Sequence, residues 1–477
     1  MSRISEAAVR CVALAALAGC VAGQEDGDEG RADVLPAIKV TVVRDVTIQQ
    51  RWVQPVGHLS SPFKRRVSVA RSLTRSDAST VFVACEELEW APPDEDGERE
   101  LASSRGWIHE LDMDTGRLVD SVDVGCALTG HAPRTDMFWD FVVADGTTAA
   151  GENERLYWVG DSSARLSQGA AALLRAGGTA ATMSRLHLGD GPSARLGEVV
   201  AIGRVPSIDG GFVLWAAAPG FMGDHRSTPA TVLAFSPASS TPLYTLHGGE
   251  GFGRQLLAVD DLDGDQCDDL IVSGEWQGRY ELDETGKSEL NAAQRFAAFS
   301  GRTGSVLWDH ARVEPYLSGC SLAQGADWDG DGLRDIAVAQ QTSGPLGRES
   351  ARLLVLSAKD GQPLRTFRPL AEEGITIGRV AYADAGPSRS GGFMVICYSR
   401  DPQRGELDEP PPCSGVALLS TETGEELARI EEDDADWVLG MTAVVVPVGA
   451  GGARALVVTL EGSPDGSDYI LRYDLRP

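Results

Sequence analysis

The chain has 477 residues, 42% of them hydrophobic, which excludes wholesale disorder and leaves room for two or three ordinary domains or one large repeat array. Asp and Glu (70) far outnumber Lys and Arg (42). The formal net charge of −28 argues against the basic clusters that a phosphate backbone requires, so no nucleic-acid partner is expected.

Residues 1–20 read as a targeting segment. Arg3 and Arg10 accompany the apolar run "CVALAALAG", which is too short to span a bilayer. "LAGC", Leu17 to Cys20, resembles the lipobox of bacterial lipoproteins, and that resemblance implies lipidation of Cys20. The small residues around Ala18 also suit ordinary signal cleavage. Residues 21–37, opening "VAGQEDGDEGRAD", have the small, acidic composition of a flexible tether. The expectation is export to the bacterial cell envelope, in the outer membrane or periplasm, or secretion. Membrane contact would run only through the N-terminal lipid, since no later segment is apolar enough to cross.

From residue 38 onward the chain is β-rich and repetitive. "IKVTVVRDVTI" is a strand with no unit of its own. "RRVSVARSL" with "STVFVACEE" supplies a first unit, and "TDMFWDFVVADG" with "RLYWVGD" a second. Five glycines that precede apolar strands then follow at Gly197, Gly253, Gly319, Gly378 and Gly440, at intervals of 56, 66, 59 and 62 residues. A period that long signals stacked supersecondary units. In phase with it, "LDMDTGRLVDSV", "FSGRTGSVLWDH", "LSAKDGQPLRTF" and "LSTETGEELARI" each set a glycine turn between two β-rich runs, the mark of a hairpin. Helical signals are nearly absent: "SQGAAALLRAGG" at 167–178 has some propensity but is bracketed by glycines. Each unit therefore reads as four antiparallel strands. The expected fold is all-β: a seven-bladed β-propeller over 38–477, closed by the strand near 39–47 pairing with the last blade. A monomer is expected.

Two units carry aspartates at alternating positions. "DLDGDQCDD" offers Asp261, Asp263, Asp265, the Cys267 carbonyl and Asp269, and "DWDGDGLRD" offers Asp327, Asp329, Asp331, the Leu333 carbonyl and Asp335. A run of like charge is ordinarily a solvated surface. Here the alternation matches the way a tight loop wraps its oxygens round a hard cation, with side chains at the first, third and fifth places and a carbonyl at the seventh. Gly330 and Gly332 permit the positive φ that such wrapping demands. Val338 stands where a helix–loop–helix calcium site would place its closing glutamate, and "DLIVSG" and "DIAVAQ" lead out as strands. Two Ca²⁺ sites between strands are expected.

"GFGRQLLAVDDLDGDQCDDLIVSG" resembles the FG-GAP repeat of the integrin α-chain propeller, and "VLWAAAPG" at 213–220 is similar to that family's closing stretch. The likeness spans roughly 190–380, with the remainder following by periodicity. It implies a calcium-stabilised propeller that binds a protein or carbohydrate ligand, an adhesion-like module without enzymatic activity. Ser318 replaces the phenylalanine in the second calcium unit, and the equivalent loops near Ile202, Asp384 and Val446 lack the aspartate series, so metal is expected in two blades only.

An enzymatic alternative is a quinoprotein-like or carbohydrate-active propeller. "SGRTGSVLWDH" resembles the "TG…W" repeat of quinone-dependent dehydrogenases, yet only Trp308 fits it and a haem-attachment motif is missing. The sequence has no GxSxG, no HExxH and no histidine pair at ligand spacing among its seven histidines. "TGKS" at 285–288 lacks the glycine of a phosphate-binding loop. Trp139, Trp276, Trp328 and Trp437 lie near loops of different blades, where they either line a sugar face or pack blades together. Beyond the leader, Cys85, Cys126, Cys267, Cys320, Cys397 and Cys413 make an even set; pairing in chain order is expected, with Cys397 and Cys413 bridged across "YSRDPQRGELDEPPP".

Overall fold

The computed structural model describes residues 38–43, 47–55, 68–70, 80–90, 101–124, 140–147, 153–161, 169–176, 181–188, 195–219, 230–249, 251–274, 279–282, 288–291, 294–313, 317–343, 349–368, 375–383, 392–400, 413–432, 438–448, 453–461 and 469–476. The segments 1–20 and 21–37, with Cys20, lie outside them. Every regular element described is a strand.

Two N-terminal strands, β1 (Lys39–Val42) and β2 (Thr47–Pro55), precede the units. Blade 1 is β3 (Ser68–Ala70), β4 (Thr80–Trp90), β5 (Leu101–Asp112) and β6 (Leu118–Asp123). Blade 2 is β7 (Asp140–Thr147), β8 (Asn153–Asp161), β9 (Ala170–Ala176) and β10 (Ala181–Leu188). Blade 3 is β11 (Val200–Arg204), β12 (Phe212–Ala218), β13 (Ala230–Phe235) and β14 (Pro242–Gly248). Blade 4 is β15 (Leu256–Val259), β16 (Asp269–Gly274), β19 (Gln294–Phe299) and β20 (Val306–Val313), interrupted by a separate hairpin of β17 (Arg279–Leu282) and β18 (Ser288–Asn291). Blade 5 is β21 (Leu317–Gln324), β22 (Ile336–Ser343), β23 (Glu349–Leu356) and β24 (Pro363–Phe367). Blade 6 is β25 (Ile375–Ala383), β26 (Phe393–Arg400), β27 (Cys413–Ser420) and β28 (Glu426–Glu432). Blade 7 is β29 (Val438–Val448), β30 (Ala453–Glu461) and β31 (Tyr469–Arg476), completed by β2. The protein is thus a seven-bladed β-propeller of four-stranded antiparallel blades.

Burial follows the place of each strand within its blade. Second strands are covered on both faces and read as continuous apolar runs: "FVLWAAA" of β12 and the described side chains of "DLIVSG" in β16 are wholly buried. Last strands such as β14 and β24 are largely exposed. Because side chains alternate across a strand, neighbouring residues serve different blade interfaces. Val81 and Val83 pack with blade 7, whereas Phe82 and Ala84 pack with blade 2. Within the stretch 167–178 the described residues include β9, and its "AAALL" is buried. Alanines let the two neighbouring blades approach closely.

The N-terminal stretch corrects one expectation. It does not form one closing strand at 39–47. β1 instead adds a fifth strand to blade 6, with Val40 opposite Ile430, and all four of its side chains are exposed. Closure falls to the segment after it: β2 pairs with β31 from Thr47 opposite Arg476 to Pro55 opposite Tyr469. The physical reason is Trp52, which only β2 carries. Its Nε1 donates to the Met113 carbonyl of blade 1 at 2.9 Å, joining the last blade to the first.

The cysteines give a second correction. Cys267 and Cys397 are buried free thiols, so pairing in chain order fails at both. Cys397 stands opposite Val416 while Cys413 stands opposite Arg400. That offset of three positions along one ladder is roughly 10 Å, beyond the ~7 Å Cα reach of a disulfide. The side chains of Cys85, Cys320 and Cys413, and all of Cys126, lie outside the described set.

Candidate metal centres

The two aspartate loops occupy the same place in adjacent blades. Residues 260–268 join β15 to β16, and 325–335 join β21 to β22. Each therefore follows an inner strand directly, at the same end of the ring.

Their hydrogen bonds repeat almost atom for atom. In the first loop, one Asp261 oxygen accepts the N–H groups of Gly264 (2.7 Å) and Asp265 (3.1 Å), and the other accepts that of Gln266 (2.7 Å). Asp263 accepts from Asp265 N–H at 3.1 Å, and Asp265 from Cys267 N–H at 2.9 Å. In the second loop, Asp327 accepts from Gly330 (2.7 Å), Asp331 (3.2 Å) and Gly332 (3.0 Å), Asp329 from Asp331 (3.1 Å), and Asp331 from Leu333 (2.9 Å). Gly330 and Gly332 have φ of 82° and 93°. The first loop matches them with Gly264 at 83° and, at the second place, Gln266 at 68°. A left-handed glutamine is uncommon, and it shows how strongly the loop fixes its path.

Three carboxylates converge in each loop. Ligand oxygens of Asp261, Asp263 and Asp265 lie within 4.8 Å of one another, and so do those of Asp327, Asp329 and Asp331. The ninth residues are placed differently from that trio. Asp269 is fully buried and its two oxygens accept N–H groups from Leu262 (2.7 Å) and Gly301 (2.9 Å). Asp335, also fully buried, takes Trp328 (2.7 Å) and Ala358 (3.0 Å). Each ninth aspartate thus pins its loop to the hairpin turn of its own blade. Burial pushes both carboxyls up to about 6, against the pull of these backbone donors, and the neighbouring loop carboxylates add to the rise. The seventh residues turn their side chains into blade interfaces, Cys267 against blade 3 and Leu333 against the core between blades 4 and 5. Only a backbone carbonyl is then left for them to offer.

The donor set is entirely oxygen, anionic and carried on short side chains. That fits a hard dication such as Ca²⁺ and does not fit the nitrogen- and sulfur-rich sets that hold zinc or copper. Lys359 Nζ lies 4.0 Å from an Asp331 oxygen at the rim of the second loop.

The eighth residue of each loop, to which the alternation gave no role, reaches the preceding blade. Asp268 accepts the Arg204 N–H at 2.8 Å, and Arg334 forms a two-pronged pair with Asp260 at 2.6 and 2.7 Å. All four residues line a cavity of about 420 Å³ at the mouth of the central channel, walled by inner-strand side chains such as Ile202, Leu322, Val380 and Val445. Nothing local in the sequence signals these pairs.

Of the loop tryptophans, Trp328 is half-buried in the interface between blades 5 and 6. Its Nε1 donates to the Thr421 carbonyl at 2.8 Å and its ring stands edge-on to Tyr382. Trp139, Trp276 and Trp437 lie outside the described residues, as does most of the "TGKS" stretch, whose Ser288 begins β18.

No family model matches the chain, and no curated protein matches it. Solved structures similar to it include one described as "Structure of Dos1 propeller", with a TM-score of 0.43 and 10% identity over 89% of this chain and 94% of that one.

Proposed function

We propose that the chain is an exported, calcium-braced propeller of the FG-GAP type that acts as a binding or scaffold module, held at a bacterial envelope through Cys20. The observation that carries this reading is the duplicated loop: three converging carboxylates, the same backbone bonds and the same blade position, 66 residues apart. Neutralising those charges would link ion binding to folding, because only the folded loop gathers them. The ligand, a protein or carbohydrate, would meet the loop-bearing end of the ring, where the loops' eighth residues frame the channel mouth. The charged groups there are engaged with one another as Arg204–Asp268 and Asp260–Arg334. That arrangement favours recognition over proton transfer, so no catalytic role is assigned.

The test is thermal unfolding of the exported part of the chain with millimolar calcium and with excess chelator. The expected result is a higher melting temperature in calcium, reduced by Asp265→Ala or Asp331→Ala. Identical curves under both conditions would remove the calcium brace.

A further inference from the structure

The two loops are wired to each other. Asp260 immediately precedes Asp261, the first carboxylate of the first loop, while Arg334 stands between Leu333 and Asp335 at the end of the second. The Arg334 guanidinium grips Asp260 with Nε and Nη2 on separate oxygens, at 2.6 and 2.7 Å. Gln324, the last residue of β21, donates from Nε2 to Asp260 at 3.2 Å and to the Arg334 carbonyl at 3.4 Å. One node thus touches the entry of one loop and the exit of the other.

We infer that Asp260 and Arg334 make cation binding in the two loops cooperative, an inference that rests on the loops being cation sites. A cation that fixes Asp261 fixes the backbone of Asp260, and through the planar fork it fixes Arg334 and its neighbours Leu333, the loop's seventh residue, and Asp335, which pins the loop to its blade. The second loop is then partly ordered before its own cation arrives, which raises its affinity, and linkage requires the reverse effect to be equal. A lone surface ion pair contributes little, but a two-pronged arginine–carboxylate pair carries orientation as well as charge. The equivalent eighth-residue contact of the first loop runs backward to Arg204 of blade 3, which carries no aspartate series. Coupling is therefore confined to the pair of blades 4 and 5.

Terbium is a suitable probe, because its emission is excited through a nearby indole and Trp328 sits inside the second loop where the first has Leu262. Titrating terbium into chelator-stripped protein should give tryptophan-excited emission, and the part that Trp328→Phe removes reports the second loop, since Trp215 packs beside Cys267 of the first. Emptying the first loop with Asp263→Asn and Asp265→Asn should move the second loop's midpoint to a concentration about 5-fold higher or more. Arg334→Lys keeps the charge and loses the fork. In that background the same double substitution should move the midpoint by less than about twofold. A midpoint unmoved by emptying the first loop overturns the coupling, as does a shift that survives intact in Arg334→Lys. No tryptophan-excited emission from the unsubstituted protein would instead overturn the reading of the loops as cation sites, a failure distinct from binding without coupling.

Discussion

The Trp308 indole of blade 4 occupies the space where a side chain at Gly361 of blade 5 would begin: a Cβ there would stand 2.6 Å from the ring. Trp308 Nε1 also donates to the Ala358 carbonyl in the same turn at 2.7 Å. The arrangement recurs with other aromatics. Trp52 meets Gly116, Tyr244 meets Gly304 and Phe367 meets Gly424, each at the glycine of the next blade's hairpin turn. An aromatic from one outer strand therefore latches the following blade at four interfaces.

Gly361→Ala should accordingly be costly. It combines a backbone at φ 72° with a clash against a ring held by its own hydrogen bond, together about 3 kcal/mol. Gly332→Ala supplies the contrast, because at φ 93° its Cβ would meet nothing within 4 Å, leaving a backbone cost of about 1 kcal/mol. Urea denaturation of both variants in chelator separates the two effects; equal losses would remove the latch as an energetic feature.

The third and ninth aspartates of a loop should differ in kind. Asp263 is exposed and accepts one loop N–H, whereas Asp269 is buried and holds two backbone donors from separate parts of blade 4. Asp269→Ala strands both donors, at about 1–3 kcal/mol for each buried group, with calcium present or absent. Asp263→Ala should lower stability mainly in calcium. Melting curves of the two variants in calcium and in chelator check this, and an Asp269→Ala loss seen only in calcium would make that residue a ligand alone.

His187 should set a lower pH limit to stability. It is buried between blades 2 and 3, its ring 3.8 Å from that of Phe235 and edge-on to Trp158, with Nε2 bonded to no described group. Burial pushes it down to about 4, and the Arg185 charge adds to the fall. The folded state thus holds the neutral ring, so no penalty exists above the unfolded value of about 6.5. As pH falls from there towards 4, the unfolded chain takes up a proton that the folded one refuses, costing about 3 kcal/mol. His187→Phe should remove that part of the acid sensitivity; the same slope of stability against pH in both proteins would contradict it.

Cys267 and Cys397 should resist alkylation in the native protein and react once it is unfolded. Burial pushes their thiols up to about 11 and about 12, so little thiolate exists near neutral pH. Peptide mapping after native and denatured labelling reads this directly, and a bridge from either residue would contradict its place as a buried free thiol.

The spacing of Gly197, Gly253, Gly319, Gly378 and Gly440 made the blades legible because each marks the start of an inner strand: Gly197 and Gly253 stand just before theirs, and the other three sit at bulges near the start of theirs. The split between β1 and β2 was not legible, since "IKVTVVRDVTI" is strand-like throughout and only the seating of Trp52 on blade 1 decides which part closes the ring. The latch was half visible. Trp308 stood out, but Tyr244 and Phe367 do the same work without being tryptophans, so counting one residue type missed the common contact. In the loops, alternation found the converging trio but could not separate Asp269 and Asp335 from it, because their partners Gly301 and Ala358 lie on another hairpin. The pair of Asp260 and Arg334, 74 residues apart, follows from the ring alone.

Calorimetric titration of calcium into the chelator-stripped protein addresses the central claim most directly. Two equivalents are expected to bind, at roughly 10⁻⁴–10⁻³ M as befits an extracellular module, with one equivalent lost in Asp263→Asn/Asp265→Asn. No heat of binding at millimolar calcium would show that these loops are solvated acidic turns, and full stoichiometry in that variant would remove the first loop as a calcium site.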